Sequence, residues 1–535
     1  MAFFLLHFLH LTADFPHGTE WNDWSKYTDE GWYSDAAVRH VLSGHWYLQG
    51  DFNSAVALPV WPLLEAVFFR ITGVSIGAAR ALTVMVFGAM LLALWRLIER
   101  FERFEPGTEA SIAAPLTLLF LCVSPFLYAF ERLAILEPLL ATLTVVALWT
   151  ASFLTPWPDR IPHSGAGKTL APALARSLAP SLALGCLLPA MVLTKPTAIA
   201  VFPAIGYLAW HRAGYRFKTA LQLAWLPAAL GTLLWLGYYL LLVRPRYLED
   251  YQYLFAANAY TGFQLDPLAK VIFYTVADGQ WIGSVLYPTC FVAVVILLCL
   301  RPRFFRNPLV PGLLLWIGGY FVFLAYHNNP QSRYYLLLAV PVTALTAIAL
   351  EELRRYAGTL HRPLARYCSQ GALAICVLAI VVPDAAEQLG FVLHPEYTYV
   401  TAAQGIARVI RADPSRSPLI LSVSGSNLTL MTGLPSINTE FGTLDLDQRI
   451  AEYRPGWYVA WNELEDEDMT AIAPLYRPVR VAAFPAMDDP DRNVMILYRL
   501  DPAVGSDPAP RSKRRIPAPL RTRFGQQPTA RQLQH

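Results

Sequence analysis

The sequence predicts an α-helical polytopic membrane protein with amphipathic helices in its first outer loop and a small C-terminal extracytoplasmic α/β domain. Composition is the first observation: 55% of the 535 residues are hydrophobic and only 15% are charged, whereas about a quarter of the residues in a soluble domain are charged. Second, apolar runs long enough to cross a hydrocarbon core of roughly 30 Å recur before residue 384. Third, the residues from about 395 to 500 have the mixed composition of a soluble domain. Together these observations exclude a soluble enzyme.

Hydropathy predicts about eleven transmembrane helices within a membrane domain of residues 1–383. Their approximate bounds are 1–13, 78–98, 113–130, 133–154, 178–194, 197–211, 219–243, 284–300, 309–326, 334–350 and 367–383. The first outer loop, residues 14–77, is rich in aromatic and acidic residues, and its stretches 31–42 and 61–69 are predicted to form short amphipathic helices in the membrane interface.

The extracytoplasmic domain is predicted over residues 384–500. Helical patterns occupy 397–410 and 446–453, and short apolar runs at 419–423, 457–461 and 494–500 predict strands. This alternation predicts a small sheet with helices packed on it. Residues 501–535 are dominated by Pro, Arg, Gln and Ser and are predicted to be a disordered basic tail.

The distribution of basic residues predicts the orientation in the membrane, because cytoplasmic loops are enriched in Lys and Arg. One alternating set of connectors carries fifteen basic residues, whereas the opposite loops, 14–77 and 244–283, carry three each. The fifteen are Arg100, Arg103, Arg160, Lys168, Arg176, Arg212, Arg216, Lys218, Arg301, Arg303, Arg306, Arg354, Arg355, Arg362 and Arg366. The N-terminus is therefore predicted to be cytoplasmic, and both basic-poor loops and everything after residue 383 are predicted to lie outside.

Charge and cysteine usage exclude some partners and cofactors. A net charge of +3 is too small to indicate a nucleic-acid partner, and the six cysteines lie in or beside apolar segments, which argues against a disulfide framework. No His or Cys pair has the spacing of metal ligands. We therefore expect no cofactor, with a divalent cation at Asp29 and Glu30 as the open alternative.

Ionisable residues at the edge of a membrane span are costly there and are functional candidates by default. On the predicted outer side they are Asp29, Glu30, Asp35, Arg132, Glu137, Lys195 and Arg333. Cations and carboxylates at one interface suit an anionic lipid headgroup and a proton acceptor. The structural alternative is that they pair, for example Arg132 with Glu131 or Glu137.

Several short motifs occur in the same order, and on the same predicted side of the membrane, as in one protein family. Residues 27–31 place two acids before a glycine at the head of the first outer loop, and a proline segment, 58–62, precedes the second span. Further matches are Gly77-Ala78-Ala79-Arg80, Arg132-Leu133-Ala134-Ile135-Leu136-Glu137-Pro138, Leu193-Thr194-Lys195-Pro196 and Arg333-Tyr334. Over about residues 14–350 the chain resembles the C-type (GT-C) integral membrane glycosyltransferases, in the branch of protein O-mannosyltransferases and bacterial aminoarabinose transferases (families 39 and 83). One departure is that aminoarabinose transferases carry a Lys in the proline segment, where this chain has Ala57 and Leu58.

The resemblance implies a GT-C-like fold and a multi-pass enzyme of the bacterial inner membrane with its active site on the periplasmic side. It implies a polyprenyl-phosphate sugar as donor, a protein, lipid or glycan hydroxyl as acceptor, and inversion at the anomeric carbon. Asp29 is the implied catalytic base, Glu30 and Glu137 supporting acids, and Arg132, Lys195 and Arg333 the donor-phosphate ligands.

Two other functions stay open at this stage. A transporter or flippase of lipid-linked saccharides often shows inverted repeats and charges at the membrane midplane, whereas the candidate charges here lie at the predicted outer edge. An enzyme of the O-antigen ligase or polymerase type is expected to carry its catalytic loop late in the chain. The sequence does not identify the sugar or the acceptor.

Overall fold

The computed structural model describes residues 1–21, 23–102, 110–156, 170–257, 268–327 and 331–503. The N-terminal part contains α1 (Ala2–Leu6), α2 (Asp29–Ser43) and α3 (Val60–Thr72). The predicted span at 1–13 is thus a five-residue helix followed by turns. Helices α2 and α3 correspond to the two amphipathic helices predicted in the first outer loop.

The membrane part is a bundle of apolar helices, as the sequence predicts. In chain order it contains α4 (Ile76–Phe101), α5 (Ala113–Val123), α6 (Pro125–Phe130), α7 (Leu136–Ala151), α8 (Leu170–Thr194), α9 (Phe202–Arg212), α10 (Phe217–Tyr238), α11 (Arg244–Arg246), α12 (Leu248–Ala257), α13 (Leu268–Asp278), α14 (Leu286–Leu300), α15 (Leu309–Tyr326), α16 (Leu336–Gly358) and α17 (Pro363–Leu393). Helix α16 is central, because all but a few of its residues are buried.

Among the described residues, five helical segments are long and apolar enough to span a membrane, or six if the segments Leu268–Ile282 and Leu286–Leu300, bent by 113°, form one span. Others are shorter because breakers interrupt them. Ser124 ends α5, and its hydroxyl accepts a hydrogen bond from the Leu127 amide to begin α6. Pro196 follows Lys195 after the end of α8 and begins the 3-10 helix Pro196–Val201. The figure of about eleven spans stays a prediction.

Contacts between connectors show that the helix ends fall into two sets. Arg100 and Arg212, in two of the predicted cytoplasmic connectors, both donate hydrogen bonds to carbonyl groups just after α7, at 2.7 and 2.8 Å. Arg355, near the end of α16, lies 3.2 Å from Glu102 after α4. We call this the inner end of the bundle, and the opposite end, which carries the first outer loop and the C-terminal domain, the outer end.

The C-terminal domain has a five-stranded mixed sheet with strand order β2-β1-β3-β5-β4. Its elements are α18 (Thr398–Arg411), β1 (Ile420–Leu421), α19 (Gly425–Thr432), β2 (Ser436–Ile437), α20 (Leu446–Tyr453), β3 (Trp457–Trp461), α21 (Asp466–Ile472), β4 (Tyr476–Asp489) and β5 (Arg492–Pro502). Strand β1 is parallel to β2 and β3, while β5 is antiparallel to β3 and β4. The long strand β4 is absent from the sequence prediction; it contains Pro478 and Pro485, which an edge strand tolerates.

Strand β5 extends to Pro502, two residues into the segment predicted to be a disordered tail. The remainder of that predicted tail, from residue 504, lies outside the described residues.

Candidate functional site

Three carboxylates and two cations meet at the outer end of the bundle in what we call the Asp29 cluster. Its members are Asp23, Asp29, Glu137, Lys195 and Arg333. Each lies at a helix end: Asp23 caps the 3-10 turn before α2, Asp29 begins α2, Glu137 is in the first turn of α7, Lys195 follows α8, and Arg333 lies in the 3-10 turn before α16. Acids at helix N-termini and a cation at a C-terminus complement the helix dipoles.

Arg333 is the centre of the cluster. Its guanidinium contacts Asp23 through Nη1, lies 2.9 Å from Asp29 Oδ2 through Nη2, and lies 3.4 Å from Glu137 Oε1 through Nε. Its backbone amide also donates to Asp23 Oδ2 at 2.8 Å. One arginine therefore binds three carboxylates that come from two distant parts of the sequence.

Lys195 supplies the second cation. Its ammonium group donates a hydrogen bond to Glu137 Oε1, the same oxygen that faces Arg333. The Tyr334 ring lies beside both cations, with its centroid 4.3 Å from Lys195 Nζ and 5.0 Å from the Arg333 guanidinium carbon. The Lys195 side chain is the most exposed of the cluster at 11%.

Two carboxylate oxygens in the cluster are left without a hydrogen-bond partner among the described residues, namely Asp29 Oδ2 and Glu137 Oε2. Asp29 Oδ1 accepts a hydrogen bond from the Thr28 hydroxyl at 3.0 Å, whereas Oδ2 has only its ion pair with Arg333. Burial raises the pKa of the Asp29 carboxyl, and the nearby Arg333 offsets part of that rise. Asp29 is therefore a stronger base than an ordinary aspartate, with one oxygen available to accept a proton.

Glu30, the next residue, takes part in a different contact. Arg80 of α4 donates to both of its oxygens, through Nε at 2.8 Å and Nη2 at 2.6 Å, and the Ala134 amide donates to Oε1 at 3.0 Å. Both side chains are buried. The pair joins the first outer loop to α4 and to the segment before α7, and it does not face Asp29.

Arg132 also lies apart from the Asp29 cluster. It donates hydrogen bonds to the carbonyl groups of Leu9 and His10, at 2.7 and 2.5 Å, and its guanidinium carbon lies 4.4 Å from the Tyr128 ring centroid. Neither predicted pairing, with Glu131 or with Glu137, forms. Of the three cations proposed from the sequence, the structure thus brings Lys195 and Arg333 together with Asp29, but not Arg132.

Comparison with solved structures finds the same architecture elsewhere. ArnT from Cupriavidus metallidurans in the apo state superposes with a TM-score of 0.59 at 15% sequence identity, covering 93% of this chain and 96% of that chain. The structure of ArnT bound to undecaprenyl phosphate gives a TM-score of 0.58 at the same identity and coverage. The apo oligosaccharyltransferase of Archaeoglobus fulgidus matches at 11% identity over 95% of this chain and 74% of that chain, with a TM-score of 0.49.

The chain has a GT-C fold. No protein-family profile matches the sequence, and no curated protein matches it either. The likeness therefore establishes the architecture, including the resemblance to the C-type glycosyltransferases predicted from the motifs. The roles of individual residues must come from the geometry of this chain.

Within this GT-C fold, the C-terminal domain contacts the acidic motif directly. The Gly31 amide donates to Asn427 Oδ1 at 2.5 Å. A Cβ at Gly31 would lie 2.1 Å from the Asn427 backbone nitrogen, so only glycine allows α2 to approach α19 this closely. The Arg492 guanidinium lies 3.6 Å from the Trp24 ring centroid, next to Asp23. The domain therefore helps to fix the segment that carries Asp23 and Asp29.

Sequence reasoning missed Asp23 and the partner of Glu30. Asp23 is fully buried and caps the 3-10 turn after it by accepting from the Ser25 amide at 2.8 Å. The only sequence signal for it is an Asp two residues before a Ser, which many caps share. Asp35 was a candidate but pairs with Arg39 at 2.7 Å, outside the Asp29 cluster.

The described residues contain no group of three or more His, Cys, Asp or Glu arranged to hold a metal ion. Asp29 and Glu30 face different arginines, so the two carboxylates do not converge on one point. A divalent cation at these acids stays a prediction.

Proposed function

We propose that this chain is a glycosyltransferase that transfers a sugar from a polyprenyl-phosphate-linked donor to an acceptor hydroxyl, with inversion, at the non-cytoplasmic face of a bacterial inner membrane. The observation that carries the proposal is Asp29 Oδ2, which has no hydrogen-bond partner among the described residues and lies beside the cations of Arg333 and Lys195 at the outer end of the bundle. A base next to cations is what an acceptor hydroxyl and a leaving phosphate require of one site.

In the proposed reaction the acceptor oxygen attacks the anomeric carbon as its proton passes to Asp29 Oδ2. The bond between that carbon and the phosphate oxygen breaks on the opposite side, and the polyprenyl phosphate leaves with the electron pair. The donor phosphodiester carries one negative charge and gains a second as it departs. Arg333 and Lys195 stabilise that developing charge, and Arg suits two-point contact with a phosphate.

The charge count of the cluster links the two halves of the reaction. Three carboxylates face two cations, so both cations are engaged in the resting site. When Asp29 takes the acceptor proton it loses its charge, and its hold on Arg333 Nη2 weakens as the phosphate gains charge. Proton transfer to Asp29 thereby releases the guanidinium group for the leaving phosphate.

The neighbouring residues have supporting roles in this proposal. Glu137 orients Lys195 and Arg333, while Glu30 holds the acidic motif in place through Arg80. Ala57 and Leu58 are buried and apolar where aminoarabinose transferases carry a Lys, so Lys195 and Arg333 take the phosphate without help from that segment. The ArnT structure bound to undecaprenyl phosphate supports the class of donor, since that protein shares this fold.

The test is to incubate the purified full-length protein with a panel of polyprenyl-phosphate sugars and measure release of polyprenyl phosphate and transfer to added acceptors. We expect turnover with at least one donor. Asp29→Asn should lower kcat by on the order of 10²- to 10⁴-fold, which is the usual contribution of a general base. Nuclear magnetic resonance of the product reports the anomeric configuration.

Asp29→Asn should remain folded. Arg333 keeps Asp23 and Glu137 as partners, and the substitution removes a carboxylate that burial disfavours. Near-normal turnover of a folded Asp29→Asn protein would remove Asp29 from the mechanism, and retention of configuration would exclude the single displacement.

A further inference from the structure

A polar cavity lies at the outer end, apart from the Asp29 cluster, and we call it the Arg132 cavity. Its volume is about 240 Å³, and it lies between the N-terminal segment 10–17, the residues Tyr128 and Arg132, and the junction 390–396 between α17 and the C-terminal domain. Three histidines, His10, His17 and His394, line it together with Arg132. The mechanism above uses none of these residues.

Arg132 is a buried cation that forms no ion pair with any of the residues that the structure describes. The residue is 7% exposed, and its Nε has no hydrogen-bond partner in the part of the chain that the structure describes. Its Nη2 donates to backbone carbonyl groups only. Glu131, the adjacent acid, does not turn toward it. Because a buried charge is costly unless an opposite charge accompanies it, this guanidinium group is suited to an anion from outside the chain.

The acidic residues of the cavity do not serve as that anion. Asp14 accepts hydrogen bonds from the Thr398 and Tyr399 amides, at 2.8 and 3.1 Å, and from the Thr398 hydroxyl at 2.6 Å, so its charge is committed to capping α18. His17 lies 3.4 Å from the same carboxylate. Glu396 also lines the cavity, with an exposed side chain whose charge is screened by solvent.

The surroundings point to an amphiphile. The cavity lies at the end of α17, which is long and apolar enough to span a membrane, and Phe391 of that helix lines it. Next to it are aliphatic side chains that the fold leaves uncovered: Leu9 is 44% exposed, Leu389 38% and Leu393 70%. The volume is below the roughly 300 Å³ at which pockets hold whole small ligands, so it suits a headgroup whose chain lies outside.

We infer that the Arg132 cavity binds the phosphate-ester headgroup of an anionic membrane lipid, with its hydrocarbon chain along Leu9, Leu389 and Leu393. The guanidinium group provides the charge-assisted hydrogen bonds that phosphates favour. A lipid held there bridges the N-terminal segment, α17 and the C-terminal domain. This site is independent of the proposed transferase reaction.

The experiment measures lipid binding to the delipidated full-length protein in neutral detergent by native mass spectrometry. The probes are phosphatidylglycerol, undecaprenyl phosphate, phosphatidylcholine and inorganic phosphate. We expect one tight site for phosphatidylglycerol, whereas undecaprenyl phosphate should also bind at the Asp29 cluster if the proposed function holds. Gly390→Leu should weaken it on the order of tenfold or more, because a Cβ at Gly390 meets open space in the cavity wall and the longer side chain fills the cavity.

Gly371→Leu is the matched control, since Gly371 lies on the same helix, also faces open space and is absent from the cavity lining. Arg132→Gln should weaken phosphatidylglycerol binding on the order of 10- to 100-fold, which corresponds to the loss of charge-assisted hydrogen bonds, and Asp29→Asn should leave phosphatidylglycerol binding unchanged. Unaltered binding in Gly390→Leu would overturn the proposal even if Arg132→Gln misfolds. Equal binding of phosphatidylcholine, or full competition by inorganic phosphate, would overturn the assignment to an anionic lipid.

Discussion

The Asp29 cluster and the Glu30–Arg80 pair begin from consecutive residues, yet they are opposite kinds of charge site. Glu30 has one arginine to itself, and both its oxygens accept hydrogen bonds. Asp29 shares one arginine with two other carboxylates and keeps an oxygen without a hydrogen bond among the described residues. The first arrangement is complete as it stands, whereas the second becomes complete only with a proton or a ligand.

This difference shows that the two neighbouring acids of one motif have different roles. Helix α2 turns its first two residues in different directions, so Asp29 faces the ends of α7, α8 and α16 while Glu30 faces α4. A buried ion pair whose hydrogen bonds are all made holds two segments in place. A buried cluster with an oxygen that accepts no hydrogen bond can still take up a proton or bind a ligand. Substitutions at the two acids should therefore fail in different assays.

The largest expected effect is on stability, at Glu30. Glu30→Gln leaves Arg80 as an unpaired buried cation, which typically costs about 3–5 kcal/mol. We expect a large drop in the thermal unfolding temperature of the purified protein, whereas Asp29→Asn loses turnover with its unfolding temperature maintained. Thermal unfolding in detergent, followed in parallel with donor turnover, checks both.

The double variant Glu30→Gln, Arg80→Gln is the control for this prediction, because it removes both charges and should recover part of the lost stability. If Glu30→Gln unfolds like the wild type but loses turnover, the assignment of the two acids is reversed.

The sequence alone predicts most of the membrane helices, because long apolar runs and breakers are local signals. The predicted span at 309–326 coincides with α15, and that at 78–98 lies within α4. The first predicted span is a short helix followed by turns. Strand β4 is absent from the prediction because its prolines and charged residues interrupt the hydrophobic alternation by which a strand is recognised. The GT-C architecture followed from the order of motifs, not from any one of them.

The site was predictable only in part. Asp29, Glu137, Lys195 and Arg333 are candidates in the sequence because charges at span edges are rare, but their partners depend on tertiary distances. Nothing in the local sequence says that Asp23, unlike Asp35, reaches Arg333. Nor does it say that Arg132, close to Glu137 in sequence, turns toward the N-terminal segment.

An intermediate effect is expected at Gly31, which belongs to the same motif as both acids. Gly31→Ala places a Cβ against the backbone of residues 426 and 427, which must move. We expect a loss of about 1–3 kcal/mol in stability, as for other overpacked sites, together with a lower kcat, because Asp29 moves with α2. Gly371→Ala, a helical glycine facing open space, is the matched control and should change neither quantity. A fully active Gly31→Ala protein would show that the C-terminal domain does not position the motif.

The smallest effect, and the sharpest test of the comparison, is the dependence of kcat/KM on pH. Because burial raises the pKa of Asp29, kcat/KM should fall on the acid side with an apparent pKa above the value of about 3.9 for an unperturbed aspartate. A carboxyl group with a higher pKa in the folded than in the unfolded state favours the fold as pH decreases through that range. Protonation of Asp29 should therefore abolish the proposed turnover without unfolding the protein, and turnover should return when the pH is raised. An acid limb that coincides with a drop in the unfolding temperature would assign it to loss of the fold, and a limb below about 3.9 would show that Asp29 is not the unsaturated base that its surroundings indicate.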